Sequence, residues 1–275
     1  MTRQMRRVLR HWIPPIALDV YRSLFSTSIR FRGDFPTWEA ARAASSGYDN
    51  EEILRRTRDA ALKVARGEAI FERDSVLFDH VEFSFPALAA LLGSACRREG
   101  QLRVLDFGGA LGTSYRQLKA FHPRLRLLSW AVVEQRNFVE CGRQLFQNQE
   151  LRFFHTINEA VAEGTPDVVL LSSVLQYLEQ PYALIAEICQ LNSTVVVDAT
   201  PCAASDGDRV TVQSVPPSIY EASYPCWVFS QDRLCQAFSP THRMVASSCE
   251  AENPWPSSLG EFSLQAFIFE PRRSV

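Results

Sequence analysis

The chain has 275 residues, 46% of them hydrophobic and 22% charged, a balance that excludes intrinsic disorder and low-complexity or fibrous architectures. The 29 Lys and Arg against 31 Asp and Glu leave a formal charge of −2, which gives no global pull toward nucleic acid. This length fits one elaborated domain, and no apolar run approaches the roughly 20 residues of a bilayer span.

The first 32 residues hold the one local charge asymmetry. Arg3, Arg6, Arg7, Arg10, Arg22, Arg30 and Arg32 are opposed only by Asp19, with Trp12, Ile13, Ile16, Leu18, Val20, Leu24 and Phe25 interleaved. Such an arm could lie against an anionic membrane surface as a broken amphipathic helix. The alternative is an arm packed on its own domain. Two prolines and Asp19 interrupt what would be the apolar part of a secretory signal, so a cleaved signal is not expected.

Helical signals follow over 33–100. TWEAARAA comes first, then DNEEILRRTRDAALKVARG, with Asp49 as N-cap, Glu52 completing a capping box, and Ile53, Thr57, Ala60, Ala61 and Val64 as the inward stripe. FPALAALLGSACRRE ends the lobe at Gly100. From Gln101 the pattern alternates strand and helix: LRVLDF, TSYRQLKAF, LLSWAVVE, RNFVECGRQLFQ, LRFF, INEAVAEG, DVVLLSSV, YALIAEICQL and TVVVDA. This predicts an α/β, Rossmann-like doubly wound sheet, mostly parallel, over 101–271. A Pro-, Ser- and Tyr-rich insert at 200–227 reads as a lid, and HRMVASSC with EFSLQAFIFE reads as an antiparallel edge pair at the C-terminus. The segments before 101 are expected to form a basic arm (1–32) and a helical cap (33–100) rather than a second domain.

Seven cysteines, at 96, 141, 189, 202, 226, 235 and 249, form neither a CxxC pair nor a zinc spacing and read as thiols of a reducing cytoplasm.

Chemistry is carried by Val104-Leu105-Asp106-Phe107-Gly108-Gly109-Ala110-Leu111-Gly112, where the first strand gives way to a helix. Glycines there let a ligand approach the backbone and open a helix whose unpaired amides attract an anion. Glu134 ends the next strand, where a carboxylate can accept hydrogen bonds from two ribose hydroxyls. No Lys-Ser/Thr pair follows the glycines, which excludes a P-loop. A dinucleotide and S-adenosylmethionine (SAM) both suit a glycine turn with a ribose acid. Asp106 separates them, because a carboxylate at this strand end repels a pyrophosphate but can receive the ammonium of SAM.

Together, Asp106-Phe107-Gly108-Gly109 and Glu134 resemble class I SAM-dependent methyltransferases. A narrower resemblance, to a bacterial family assigned to the methyltransferases, rests on FRGDFPTWEAARAASSGYD, FERDSVLFD, LDFGGALGTSYRQ, LSWAVVEQ, SSVLQYLEQPY, VVVDATP and VQSVPPSIYEASYPCWVFS. Ala199 departs from it where an arginine is expected. The resemblance implies that Gly108, Gly109 and Gly112 cradle the methionine end of SAM, and that Glu134, with Gln135 beside it, holds the ribose. It places Phe154 or His155 against the adenine, and Ser172, Ser173 and Gln176 toward the sulfonium and the acceptor. The acceptor it implies is a small molecule or saccharide, since such families resemble enzymes of surface-polysaccharide pathways.

Methyl transfer needs alignment and exclusion of water rather than a metal. A hydroxyl acceptor benefits from a base, for which Asp74, His80 and Tyr177 are the candidates, while Arg73 could bind a carboxylate. Tyr220, Tyr224 and Trp227 would line the acceptor side under the lid. The competing expectations are an NAD-dependent oxidoreductase or epimerase, against which Asp106 counts, and a non-catalytic SAM-fold scaffold held at a membrane by the basic arm.

Overall fold

The computed structural model describes residues 29–47, 50–73, 75–122, 126–216, 219, 221–249, 255–257 and 260–272. Most of the basic arm, together with Asp49, Asp74 and Tyr220, lies outside them.

Strand β1 (Arg30–Phe35) leads into α1 (Trp38–Ala43), where the Thr37 side chain accepts the Ala40 amide as an N-cap. Helix α2 (Asn50–Ala65) buries Thr57, Ala60 and Ala61, which lie three to four residues apart as an inward stripe requires. A hairpin of β2 (Phe71–Arg73) and β3 (Val76–Phe78) follows. Helix α3 (Phe85–Arg97) is capped by Ser84 and carries proline in its first turn.

The alternating region is β4 (Gln101–Phe107), α4 (Thr113–Phe121), β5 (Arg126–Val133), α5 (Arg136–Leu145), β6 (Leu151–Phe154), α6 (Ile157–Val161), β7 (Val168–Ser172), a 3-10 turn (Leu175–Tyr177), α7 (Pro181–Cys189) and β8 (Thr194–Ala203). The chain closes with β9 (Arg209–Val215), β10 (Ala222–Ser230), α8 (Gln231–Phe238), β11 (His242–Cys249), β12 (Trp255–Ser257) and β13 (Gly260–Pro271).

Eleven strands join one sheet, in which β6, β5, β4, β7 and β8 are parallel neighbours. Strand β13 returns antiparallel along β8, and β11 lies antiparallel outside it. The apolar strands are buried on both faces, which is why they read as unbroken runs. On one face Leu105, Val133, Val169, Leu171, Val195, Val197 and Phe267 pack against α6, α7 and α8. On the other, Val104, Val132, Leu170, Val196 and Ile268 pack against α3, α4 and α5. Each Val or Leu so enclosed contributes about 1.5–3 kcal/mol. This is a mostly parallel, doubly wound α/β sheet with an antiparallel C-terminal pair.

Two expectations change. The segment 200–227 is not a lid loop: β9 and β10 pair with each other over seven residues and join the main sheet, β10 running parallel to the last two residues of β8. Its Val210, Val212, Cys226 and Val228 are buried. In β9 (RVTVQSV) polar and apolar residues alternate with period two, and the cluster of turn formers around it masked that strand pattern. The segment 33–100 is also not wholly helical. Strand β1 pairs antiparallel with β9, extending the same sheet, and the β2–β3 hairpin separates α2 from α3.

Candidate active site

Parallel strands place polar side chains together where they end. Asp106 continues the face of Val104, Ser172 that of Leu170, and Asp198 that of Val196, so all three lie on the α3–α5 side of the sheet at its carboxyl edge. Ser172 is the register partner of Asp198 and donates to its Oδ2 at 3.3 Å.

Between β4 and α4 the backbone makes a tight turn in which every second residue, Gly108, Ala110 and Gly112, is left-handed (φ +75°, +48° and +90°). Such alternation gathers amides on one side of the chain. A side chain at Gly108 would meet Val174 Cγ2 at 2.5 Å, and one at Gly109 would meet the Asp106 carboxylate at 2.5 Å. The turn therefore lies directly over Asp106 and beside the 3-10 turn.

Asp106 is 1% exposed and accepts the Trp130 indole N–H at 3.1 Å. Burial pushes its pKa up to about 7, with the nearby Glu134 charge adding to the rise and hydrogen bonds from Trp130 and Ser114 opposing it. It is a buried carboxyl beneath the turn, lying against Gly109 and Trp130. Glu134 is half-buried at the end of β5. Burial raises its pKa against hydrogen bonds from the Gln135 and Ala110 amides, the former at 2.7 Å. Glu134 thus faces the glycine turn from the neighbouring strand end, as the sequence suggested. Gln135 is exposed at the start of α5.

Phe154 is buried, and its carbonyl accepts the Glu134 amide at 3.1 Å. His155 is exposed, its main-chain amide bound to the Glu159 carboxylate. Beyond β7, Ser173 adopts φ +52° and its amide donates to the Asp198 carbonyl at 2.9 Å. Ala199, at φ +47°, is the second strained residue of this crevice. Gln176 is 2% exposed. Its Nε2 donates to Ser173 Oγ at 3.0 Å, and its Oε1 is buried without a hydrogen-bond partner.

Tyr177 donates to Gln213 Oε1 at 3.1 Å, and Gln213 Nε2 donates to Tyr224 Oη at 3.3 Å, with the two tyrosine rings edge to face 5.2 Å apart. These three form one polar wall between the 3-10 turn, β9 and β10. Trp227 does not line it: its ring stacks on Trp38 at 5.6 Å and its Nε1 donates to the Leu178 carbonyl at 2.9 Å. Its described contacts are thus packing contacts, on Trp38 and on the Leu178 carbonyl. Arg73 and His80 are exposed, and their described side-chain partners all lie within 78–82: Glu82 and the Phe78 ring for Arg73, Asp79 and the Phe78 ring for His80. No described side-chain contact of either residue reaches the strand ends.

Four residues of this neighbourhood went unnoticed in the sequence, among them Glu72 of β2, whose carboxylate accepts the Arg116 Nη2 of α4 at 2.7 Å. Asp198 was detectable, since it is the first polar residue after TVVV with the parity of a strand-end site. Trp130, Gln213 and Glu72 carried no local signal, because the partners that define them are 11 to 44 residues away.

No protein-family model matches the chain, and no curated protein matches it. Its fold is similar to those of several solved proteins. One is the N-terminal domain of EvdMO1, solved in the presence of S-adenosylhomocysteine (SAH) and D-fucose, with 18% identity, 82% of this chain and 98% of that chain covered, and a TM-score of 0.47. Magnesium protoporphyrin IX methyltransferase from Synechocystis PCC 6803, with bound SAM, is 11% identical over 81% of this chain and 98% of its own, with a TM-score of 0.42. A third is 1,6-didemethyltoxoflavin-N1-methyltransferase from Burkholderia thailandensis, 13% identical over 81% and 91% of the two chains, with a TM-score of 0.40.

Proposed function

We propose that this chain is a SAM-dependent methyltransferase acting at oxygen on a small-molecule or carbohydrate acceptor. The observation that carries the reading is the left-handed glycine turn opening α4, faced by the half-buried Glu134 carboxylate at the adjacent strand end. These residues fit the cofactor chemically: a turn that a Cβ would obstruct, free amides in the first turn of a helix, and a carboxylate for paired hydroxyls. On this reading Gly108, Gly109 and Gly112 hold the amino-acid end and Glu134 the ribose. Phe154 and His155 border the adenine, and Ser172, Ser173 and Gln176 face the reacting centre. Bound SAM would supply an electrophilic methyl group.

The chain's own part is to orient the acceptor and take its proton. Among the candidate bases, Tyr177 is engaged as a donor to Gln213, and His80 is exposed on the hairpin. Asp198 suits the role better. Ser172 holds its Oδ2, no hydrogen bond among the described residues reaches Oδ1, and a carboxylate there can accept the proton of an acceptor hydroxyl. Gln176 and the Tyr177–Gln213–Tyr224 wall would orient that hydroxyl-bearing group. Isothermal titration tests the reading. Wild-type protein should bind SAH, and Glu134→Ala should weaken binding by roughly tenfold or more, the loss of charge-assisted hydrogen bonds to two hydroxyls. Absent SAH binding with tight NADH binding would overturn it.

A further inference from the structure

Glu72 lies on β2, yet it is only 1% exposed, and its contacts are not on the hairpin. Its Oε1 accepts the Thr113 hydroxyl and the Arg116 Nη2, the latter at 2.7 Å, both from the first turn of α4. Arg116 also donates to the Leu111 carbonyl at 2.9 Å, inside the glycine turn. The hairpin is thus pinned to the first turn of α4 by a buried carboxylate. The other oxygen of that carboxylate, Oε2, is buried and has no hydrogen-bond partner. A buried anion with one oxygen doubly bonded and the other bare is a costly arrangement that calls for a missing donor.

We infer that Glu72 receives the ammonium group of the cofactor's amino-acid end. The inference rests on the methyltransferase reading above and extends it to a residue of the N-terminal segment. One observation and two chemical arguments converge on it. Glu72 bonds Thr113 and Arg116 in the first turn of α4, and Arg116 in turn bonds the Leu111 carbonyl of the glycine turn, where that reading holds the amino-acid end. An ammonium brings three donors and a charge that makes a hydrogen bond to a carboxylate strong. The α-carboxylate of the same group would meet the unpaired amides opening α4, so both charges of the zwitterion find opposite partners side by side. Asp106, the other carboxylate near the turn, is as deeply buried but accepts the Trp130 indole N–H, whereas Glu72 Oε2 has no hydrogen-bond partner among the described residues.

Calorimetric titration with SAH, and with a desamino analogue that keeps the carboxylate but lacks the amine, tests this. Wild type should prefer SAH over the analogue by about tenfold or more, as expected for a charge-assisted hydrogen bond. Glu72→Gln should weaken SAH and abolish that preference, whereas Asp106→Asn should keep it. The inference is overturned by a wild type without preference, by a preference that survives Glu72→Gln, or by equal loss of both ligands in that variant. Should Glu72→Gln fail to fold, Asp106→Asn still decides: a preference retained supports Glu72, and one lost assigns the ammonium to Asp106. Binding of neither ligand to wild type refutes the methyltransferase reading itself.

Discussion

Replacing Gly108 by alanine tests how the turn is held. The substitution imposes two separable costs. At φ +75° an alanine sits in the left-handed region, at about 1–2 kcal/mol. Its Cβ would also fall 2.5 Å from Val174 Cγ2 and 3.0 Å from Val174 Cβ, and overpacking of this kind costs about 1–3 kcal/mol. The sum, about 2–5 kcal/mol, is a large part of a domain's total stability. Gly100 is the internal control. Its φ is +81° and nothing lies within 4 Å of a built Cβ, so Gly100→Ala should incur only the backbone cost. Trimming the neighbour completes the cycle: in Gly108→Ala/Val174→Ala the clash is relieved, and the two changes should couple favourably by about 1–3 kcal/mol. Urea denaturation of these three variants, of Val174→Ala alone and of wild type, with constant m-values, measures each term. If Gly108→Ala costs no more than Gly100→Ala, or if the double variant is simply additive, the turn does not pack on the 3-10 segment as described.

Further outcomes follow from the buried charges and from Trp227. Asp106 has its pKa raised from 3.8 to about 7, so the native state holds a proton that the unfolded chain has lost, and stability should fall as pH rises between about 4 and 7 and level off above. At about 1.4 kcal/mol per tenfold change in proton affinity the full effect is about 4 kcal/mol. Asp106→Asn should flatten that slope in denaturation midpoints taken across the range, and an unchanged slope would remove Asp106 as its source. Arg116→Met leaves the Glu72 carboxylate buried without its cation and should cost about 3–5 kcal/mol, read by chemical denaturation; a neutral result would refute the buried ion pair. Trp227→Phe keeps a ring against Trp38 but loses the donor to Leu178, so a loss of about 1 kcal/mol with unaltered SAH affinity is expected, and a selective loss of SAH binding would restore a ligand role to Trp227.

The parallel core was legible because each of its strands is a short apolar run followed by a helix with an apolar face. LRVLDF, DVVLLS and TVVVDA needed no distant information to be placed. Asp106 and Glu134 were legible for the same reason, since a strand end followed by a turn fixes where a side chain stands. The insert misled because Pro216, Pro225 and the serines of 200–227 are turn formers by local rule, while what makes β9 and β10 strands is their pairing with each other and with β1. Glu72 and Trp130 stayed silent for a related reason. An acid beside an arginine in FERD reads as a surface pair until the fold brings Arg116 and Thr113, more than 40 residues away, onto it. Trp130 reads as a core residue, which it is, and only the partner strand shows that its N–H is spent on Asp106. Trp227 illustrates the converse, an aromatic that composition offered to a ligand and that Trp38 claims instead.

The central claim is that the carboxyl edge of β4, β5, β7 and β8 binds an adenosyl cofactor, with its reacting end toward Ser172, Gln176 and Asp198. A crystal structure of the protein with SAH tests it most directly. The account predicts the ribose hydroxyls within hydrogen-bond distance of Glu134, the amino-acid end over the glycine turn, and the thioether sulfur facing the β7–β8 strand ends. An SAH molecule bound elsewhere on the chain, or one whose ribose leaves Glu134 untouched, would contradict it.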